Sequence, residues 1–250
     1  MAASRYSVGF HAVDKLLTHQ RDKLQKLYID ERSKNPRLHA LREKARELGV
    51  PTQGARSHRL DDMAQGSVHQ GVVAALTNLP NIDEAALRGL VEQALADGQT
   101  PLLLLLDGVQ DPHNLGACLR SADAAGALAV VAPRKASVGV TPATRKVASG
   151  AAEVVPLVQV ASLARVLDWL AEYGVARVGT TDAATQALWE CDLTGAVAIV
   201  MGTEATGLGP EVMQRCDTLV ALPMRGVVES LNVSVATGIC LFERVRQTSK

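Results

Sequence analysis

Aromatic residues are scarce. Phenylalanine, tryptophan and tyrosine together make up 3% of the 250 residues, too few for a surface that holds nucleic acid by stacking one base after another. Cysteine is nearly as sparse. Cys118, Cys191, Cys216 and Cys240 include no pair at CxxC spacing, which argues against a structural zinc site and a disulfide framework and leaves four small buried side chains. No apolar run approaches the roughly 20 residues of a membrane span; the longest run of leucine is Leu102–Leu106. The first residues lack the apolar stretch of a signal peptide. Net charge is also absent, with 26 Lys+Arg against 26 Asp+Glu. A uniformly basic coat is thereby excluded, and a basic patch is not. These absences point to a cytoplasmic protein with no membrane partner.

What is present is unevenly distributed. Residues 1–76 carry 13 Lys+Arg and 8 Asp+Glu, together with five of the six histidines. Residues 77–99 carry 1 and 4, and residues 100–250 carry 12 and 14. The basic excess at the front reads either as ordinary solvated surface or as a polyanion-binding module joined to a near-neutral one.

Periodicity separates the same segments. In the first, Val13, Leu16, Leu17 and Leu24 keep helical spacing, as do Leu38, Leu41, Ala45 and Leu48 ahead of Gly49. Residues 27–29 and 70–76 read as strands. This predicts a small α/β module over 1–76. Residues 77–99 read as a linker containing one helix, opened by Asp83 and Glu84 and closed by Gly98. From residue 100 the pattern changes. Short apolar runs at 102–106, 127–132, 153–157, 176–179, 196–201 and 218–222 alternate with helical patterns such as 115–125, 162–173 and 232–247. Continuous apolar strands between helices predict a parallel sheet covered on both faces. Ligands of such sheets collect at the carboxyl ends of the strands.

Three loops at those ends carry the chemistry. The first, DGVQDPHNLGACLRSADAAG, follows the leucine run; Asn114 is a candidate N-cap, and Arg120 lies six residues further on. The second, IVMGTEATGLGPEV, has the spacing G-x-E-x-x-G-x-G, which is neither a dinucleotide fingerprint nor a Walker loop. Glu204 inside it is ill placed to cradle phosphate and suits a cationic or hydroxyl-rich ligand. In the third, LPMRGVVESLNVSVATGICLFE, Ser230 or Asn232 is placed to cap the last helix.

Together and in this order, the three loops resemble the motifs of the SpoU (TrmH) family of RNA ribose 2'-O-methyltransferases, in the SPOUT class. The stretches GFHAVDKLL and VHQGVVA resemble the substrate-binding domain that precedes the catalytic domain in that family, so the resemblance covers nearly the whole chain. One departure is Ala205, where the family's second motif often has glycine. The resemblance implies an α/β fold: a parallel-sheet SPOUT domain with a trefoil knot over 100–250, a linker over 77–99, and a small α/β domain of ribosomal-protein-like fold over 1–76 that binds RNA. It also implies a homodimer. The methyl donor would be S-adenosylmethionine, held by Thr180, Gly202, Leu222 and Leu231, largely through backbone. Arg120 would sit beside the target ribose and its phosphate. It would orient the 2'-oxygen and stabilise developing negative charge there, with a transient role as base left open. Asn114, Asn232 and Ser230 would hold the nucleotide or the loops, and Glu204 would tie the second loop to Arg120 or to the third. No metal and no DNA partner are implied.

Within the family the similarity is greatest to enzymes that methylate a guanosine in the peptidyl-transferase-centre loop of 23S rRNA. The same chemistry on tRNA is the alternative target, and a catalytically silent RNA-binding assembly factor the alternative class. Arg5, His11, Lys34, Arg37 and His69 are the RNA-contact candidates of the front module.

Overall fold

The computed structural model describes residues 5–19, 21, 24–64, 66–76, 82–203 and 206–249. The chain divides into two compact units, Met1–Asn81 and Ile82–Lys250.

The first unit runs β1 (Arg5–Val8), α1 (Phe10–His19), β2 (Leu24–Asp30), α2 (Pro36–Glu47), β3 (Thr52–Ala55), α3 (Ser57–Ala64) and β4 (Val72–Leu76). Its sheet has the order β1-β4-β2-β3, with only the β2–β3 pair parallel. Side chains alternate across a strand, so Val72 and Ala74 pack with Leu16, Leu17, Leu38 and Leu41 of α1 and α2. Val73, between them, packs with Leu60 of α3 instead. Leu24, expected at the end of a helix, opens β2. The helix stops at His19.

The second unit runs α4 (Glu84–Ala96), β5 (Leu102–Leu106), α5 (Pro112–Ala124), β6 (Ala129–Pro133), α6 (Pro142–Ala148), β7 (Leu157–Val160), α7 (Leu163–Glu172), β8 (Ala176–Thr180), β9 (Val197–Met201), α8 (Pro210–Met213), β10 (Thr218–Val220) and α9 (Val233–Thr248). Its six strands are all parallel, in the order β10-β8-β9-β5-β6-β7. The leucine run is buried throughout and serves both faces. Leu102, Leu104 and Leu106 meet Leu115, Leu119 and Leu241 of α5 and α9. Leu103 and Leu105 meet Leu87, Val91, Val166 and Leu170 of α4 and α7. Each fully buried leucine contributes about 1.5–3 kcal/mol, which is why this strand forms the middle of the core.

Three expectations need correcting here. The segment 77–99 is not wholly a connector, because α4, capped by Asp83, buries Leu87 and Val91 in the second unit. The run 153–157 is not a strand. Gly150, at φ 97°, leads into a 3-10 turn over Ala151–Glu153, where Glu153 is buried against Arg145 at 2.6 Å, and the strand begins at Leu157. Asn114 is not an N-cap. Asp111 caps α5, accepting from the backbone N–H groups of Asn114 at 3.0 Å and His113 at 3.3 Å, with Pro112 in the first turn. The Asn114 bond above all holds the Asp111 carboxyl below its ordinary pKa. Of the four cysteines, Cys118, Cys191 and Cys240 are buried and Cys216 is half-buried. Burial pushes the Cys216 thiol up to about 11 and that of Cys240 to about 12.

α9 is fastened by a buried arginine. Arg244 is 5% exposed, and its guanidinium donates to the Thr100 backbone oxygen, the Thr100 hydroxyl and the Gly195 backbone oxygen, just ahead of β5 and β9. Arg244→Met keeps the aliphatic stem and strands those acceptors, so it is expected to lower the stability of the second unit by about 2 kcal/mol. The protein's two tryptophans, Trp169 and Trp189, both lie in that unit. Urea unfolding followed by tryptophan fluorescence therefore reads that unit selectively.

Candidate active site

β9 lies between β5 and β8, so the turns that follow β5, β8 and β9 emerge side by side. The turn after β9 is a tight hairpin in which Thr203 and Gly207 exchange backbone hydrogen bonds at 3.2 and 3.0 Å. The Thr203 hydroxyl accepts from the Thr206 backbone N–H at 3.1 Å. A Cβ on Gly202 would come within 2.1 Å of the Gly207 carbonyl carbon. Glycine is required there for want of space. Gly207 has a different reason, a φ of 64°.

The hairpin is hooked to the turn after β5. The Asp107 carboxylate accepts from the Gly209 backbone N–H at 2.8 Å, across 102 residues of sequence. Asp107 had no role in the sequence reading, since an aspartate in a turn gives no sign of a partner so far away. The first and third loops are joined in a similar way. The Asn232 side-chain amide donates to Asn114 Oδ1 at 3.0 Å, while Asn232 Oδ1 accepts from the Ser234 backbone N–H and caps α9. The two asparagines singled out in the sequence thus meet, 118 residues apart.

Between the second and third loops lies a cavity of about 360 Å3, within the roughly 300–1,000 Å3 typical of small-molecule sites. Thr180, Gly202, Leu222 and Leu231 all line it, as does Ser230. Thr180 ends β8, and its hydroxyl donates to the Val200 backbone oxygen at 3.2 Å. Among the described residues the lining holds two carboxylates, Asp182 and Glu229, and no lysine, arginine or histidine. Such walls do not suit a phosphate-bearing cofactor. They suit a ligand that carries positive charge together with both polar and apolar groups.

Arg120 is exposed on α5, has no partner among the described residues, and does not line this cavity. Glu204 lies outside the described residues, as does Ala205. In the first unit, His11, Lys34 and Arg37 are exposed, and the Arg5 side chain is outside the description. His69 is a turn residue: its Nδ1 accepts from the Gly71 backbone N–H at 3.0 Å, and its Nε2 faces Asp61 at 3.1 Å.

A parallel α/β sheet with a loop-walled cavity at its strand ends defines a small-molecule-binding enzyme class. The chain matches the SpoU rRNA Methylase family over residues 101–242, and the substrate-binding family of RNA 2'-O ribose methyltransferases over residues 7–81. It belongs to the SpoU rRNA methylase family. It is 49% identical over 240 residues to the 23S rRNA (guanosine-2'-O-)-methyltransferase RlmB of Coxiella burnetii, covering 96% of this chain and 94% of that protein. To the RlmB of Ralstonia nicotianae it is 48% identical over 254 residues, covering 100% and 98%. Among solved structures it is similar to an RNA 2'-O ribose methyltransferase, at 27% identity and TM-score 0.71, covering 98% of this chain and 90% of that one. It is also similar to the SpoU methyltransferase AviRb from Streptomyces viridochromogenes, at 25% identity and TM-score 0.75, covering 99% and 90%.

Asp107→Ala removes the hook between the two turns. A hydrogen bond to a charged acceptor contributes about 1.5–3 kcal/mol, so the Gly209 amide is expected to exchange its hydrogen about tenfold faster or more. Amide exchange measured by mass spectrometry checks this, with the amides of β5 and β9 as unchanged references.

Proposed function

We propose that this protein transfers a methyl group from S-adenosylmethionine to the ribose 2'-hydroxyl of a guanosine in the peptidyl-transferase-centre loop of 23S rRNA. In this reading residues 1–76 bind the RNA and residues 100–250 carry the reaction. The observation that carries it is the cavity, which is built from the family's second and third loops, is walled by apolar and hydroxyl-bearing side chains in similar measure, and has carboxylates but no cation among its described walls. That lining fits S-adenosylmethionine, whose sulfonium bears a positive charge. Relatives named as 23S rRNA guanosine-2'-O-methyltransferases over nearly the whole chain support the target.

When bound, S-adenosylmethionine supplies a methyl group activated by its sulfonium. Gly202, Leu222 and Leu231 give the pocket its backbone and apolar walls, and Thr180 closes the β8 side. The chain's remaining task is to hold the ribose oxygen about 3–3.5 Å from the reacting carbon and to support the charge that develops there. Arg120 takes that part, with its guanidinium on the phosphate and the 2'-oxygen. The Asn114–Asn232 bond keeps the first and third loops in register beneath the nucleotide.

Arg120 does not reach the cavity of its own chain, and a second copy supplies the missing geometry. Val235, Ile239 and Phe242 form an exposed apolar stripe along α9, at 52%, 38% and 48% exposure. α9 packs alongside α5, the helix that carries Arg120. A homodimer joined on the α9 stripe buries that face and brings α5 to the interface. A knotted path is part of the same reading. After β10 the chain is bonded at Ala221 to Gln186 and Leu188, and then returns to α9 on the other side of β9. This supports threading of the C-terminal segment as a trefoil.

The test uses labelled S-adenosylmethionine with unmodified transcripts of 23S rRNA and tRNA. Label at a guanosine of the peptidyl-transferase loop is expected. Label only in tRNA overturns the target, and failure to bind S-adenosylmethionine overturns the reaction. Arg120→Ala is expected to cost about 10²–10³ in turnover with S-adenosylmethionine affinity unchanged. Gly202→Val is expected to abolish S-adenosylmethionine binding, because the hairpin has no room for a side chain. Mixing these two inactive variants after partial unfolding and refolding is expected to restore activity in hybrid dimers. No restoration would sink the shared-site arrangement.

A further inference from the structure

Three turns of the first unit meet at a cavity of about 230 Å3 lined by Phe10, His11, Asn35, Arg37 and Gln70. Phe10 and His11 open α1, Asn35 and Arg37 open α2, and Gln70 precedes β4. The cavity is smaller than the roughly 300–1,000 Å3 of sites for drug-sized ligands, so it takes one small group. Its chemistry is set by two carboxamides. Asn35 Oδ1 accepts from the Arg37 backbone N–H at 3.0 Å, and Gln70 Oε1 accepts from the Phe10 backbone N–H at 3.1 Å. A backbone N–H bonds only the oxygen of an amide, so both oxygens are taken and both NH2 groups are left over. Neither NH2 has a partner among the described residues, and neither does the Arg37 guanidinium. Among the described residues the lining has no carboxylate. Phe10 and His11 stand edge to face beside these donors, with ring centroids 5.7 Å apart.

The backbone is bent to present this arrangement. Gln70 has a φ of 49°, in the left-handed region where glycine is the usual residue. Gly71, next to it, has a φ of 84°, and a Cβ there would come within 2.5 Å of Leu38 Cδ1. The turn is therefore pressed against α2. Glutamine at such a φ costs stability, and its side chain offsets this by capping α1.

We infer that this cavity holds one unpaired base of the substrate RNA by its acceptor edge and favours guanine over adenine, with Arg37 on the adjoining phosphate. The inference rests on the reading of the first unit as RNA-binding. Proteins read RNA sequence mainly from unpaired bases, through hydrogen bonds to their edges and contact with aromatic rings. A lining of donors is satisfied by O6 and N7 of guanine, two acceptors side by side. The corresponding edge of adenine puts an exocyclic amino group, itself a donor, beside N7, and that group would face the Asn35 or Gln70 amide unpaired.

Asn35→Asp and Gln70→Glu test it, because each keeps the capping oxygen and the shape of the side chain and replaces the free NH2 with a second oxygen. Gln53→Glu, on β3 and outside the cavity, makes the same charge change as a control. The probe is an unmodified fragment of 23S rRNA containing the peptidyl-transferase loop, bound to the full chain, together with copies in which single unpaired guanines become adenine. Asn35→Asp and Gln70→Glu are expected to weaken binding about tenfold or more, with melting temperature and S-adenosylmethionine affinity unchanged. Gln53→Glu is expected to change it by less than about twofold. One guanine is expected whose replacement weakens binding to the wild type but not further to Gln70→Glu. Losses no larger than those of Gln53→Glu overturn the inference. Losses identical for every RNA, with no such base, also overturn it and leave a phosphate contact in its place. A wild-type protein that binds none of the RNAs overturns the RNA-binding reading itself, and this inference falls with it.

Discussion

The parallel pairing of β9 with β5 on one side and β8 on the other is the constraint on which the site depends. Neighbouring parallel strands end at the same edge of the sheet, so the turns after β5, β8 and β9 open together. The Asp107–Gly209 bond then fixes the β5 turn to the β9 hairpin. With the hairpin held, the β8 end at Thr180 and the third loop form the remaining walls. The Asn114–Asn232 bond makes the corresponding tie between the starts of α5 and α9. Three stretches far apart in sequence become one surface because a single central strand sets where each of them leaves the sheet.

Much of this was legible in the sequence. Leu102–Leu106 announces a strand buried on both faces, because five apolar residues in a row leave no side for water. Thr180, Gly202, Leu222 and Leu231, which the family resemblance assigns to the methyl donor, line one cavity, because loops that leave the carboxyl ends of parallel strands share a rim whatever their separation. What stayed hidden has physical reasons. Asp111 rather than Asn114 caps α5 because Pro112 starts the helix three residues earlier than the apolar spacing suggests. The strand expected at 153–157 gives way to a turn because Glu153 goes inward to Arg145, and no periodicity records an ion pair. The hook at Asp107 is invisible because its partner is a backbone amide, which every residue except proline possesses.

Charge is sorted between the two units in a way the zero total conceals. The described walls of the second unit's cavity hold two carboxylates and no cation. The described walls of the first unit's cavity hold an arginine, a histidine and two amides with free donors, and no carboxylate. A phosphate-bearing chain gains nothing from the former, and a sulfonium gains nothing from the latter. Each ligand in the proposed reaction is thus turned away from the other's site by charge before shape is consulted. The basic excess of residues 1–76 extends the same sorting to the surface at large, where it draws in a polyanion over several ångströms.

The position of Arg120 carries the last step. The residue proposed to orient the ribose would be expected to line the cavity it serves, yet Arg120 is exposed on α5 and is not among the described residues of that lining. The helix beside it, α9, exposes Val235, Ile239 and Phe242 in one stripe, an arrangement that costs solubility unless it is covered. These two facts have one economical resolution. Covering the stripe with a second copy removes the apolar exposure and moves α5 to a boundary between chains, where a guanidinium gains reach beyond its own cavity. In the proposed homodimer, association serves the catalytic geometry as much as stability, and a single folded chain would hold the methyl donor without assembling the groups proposed to act on the ribose.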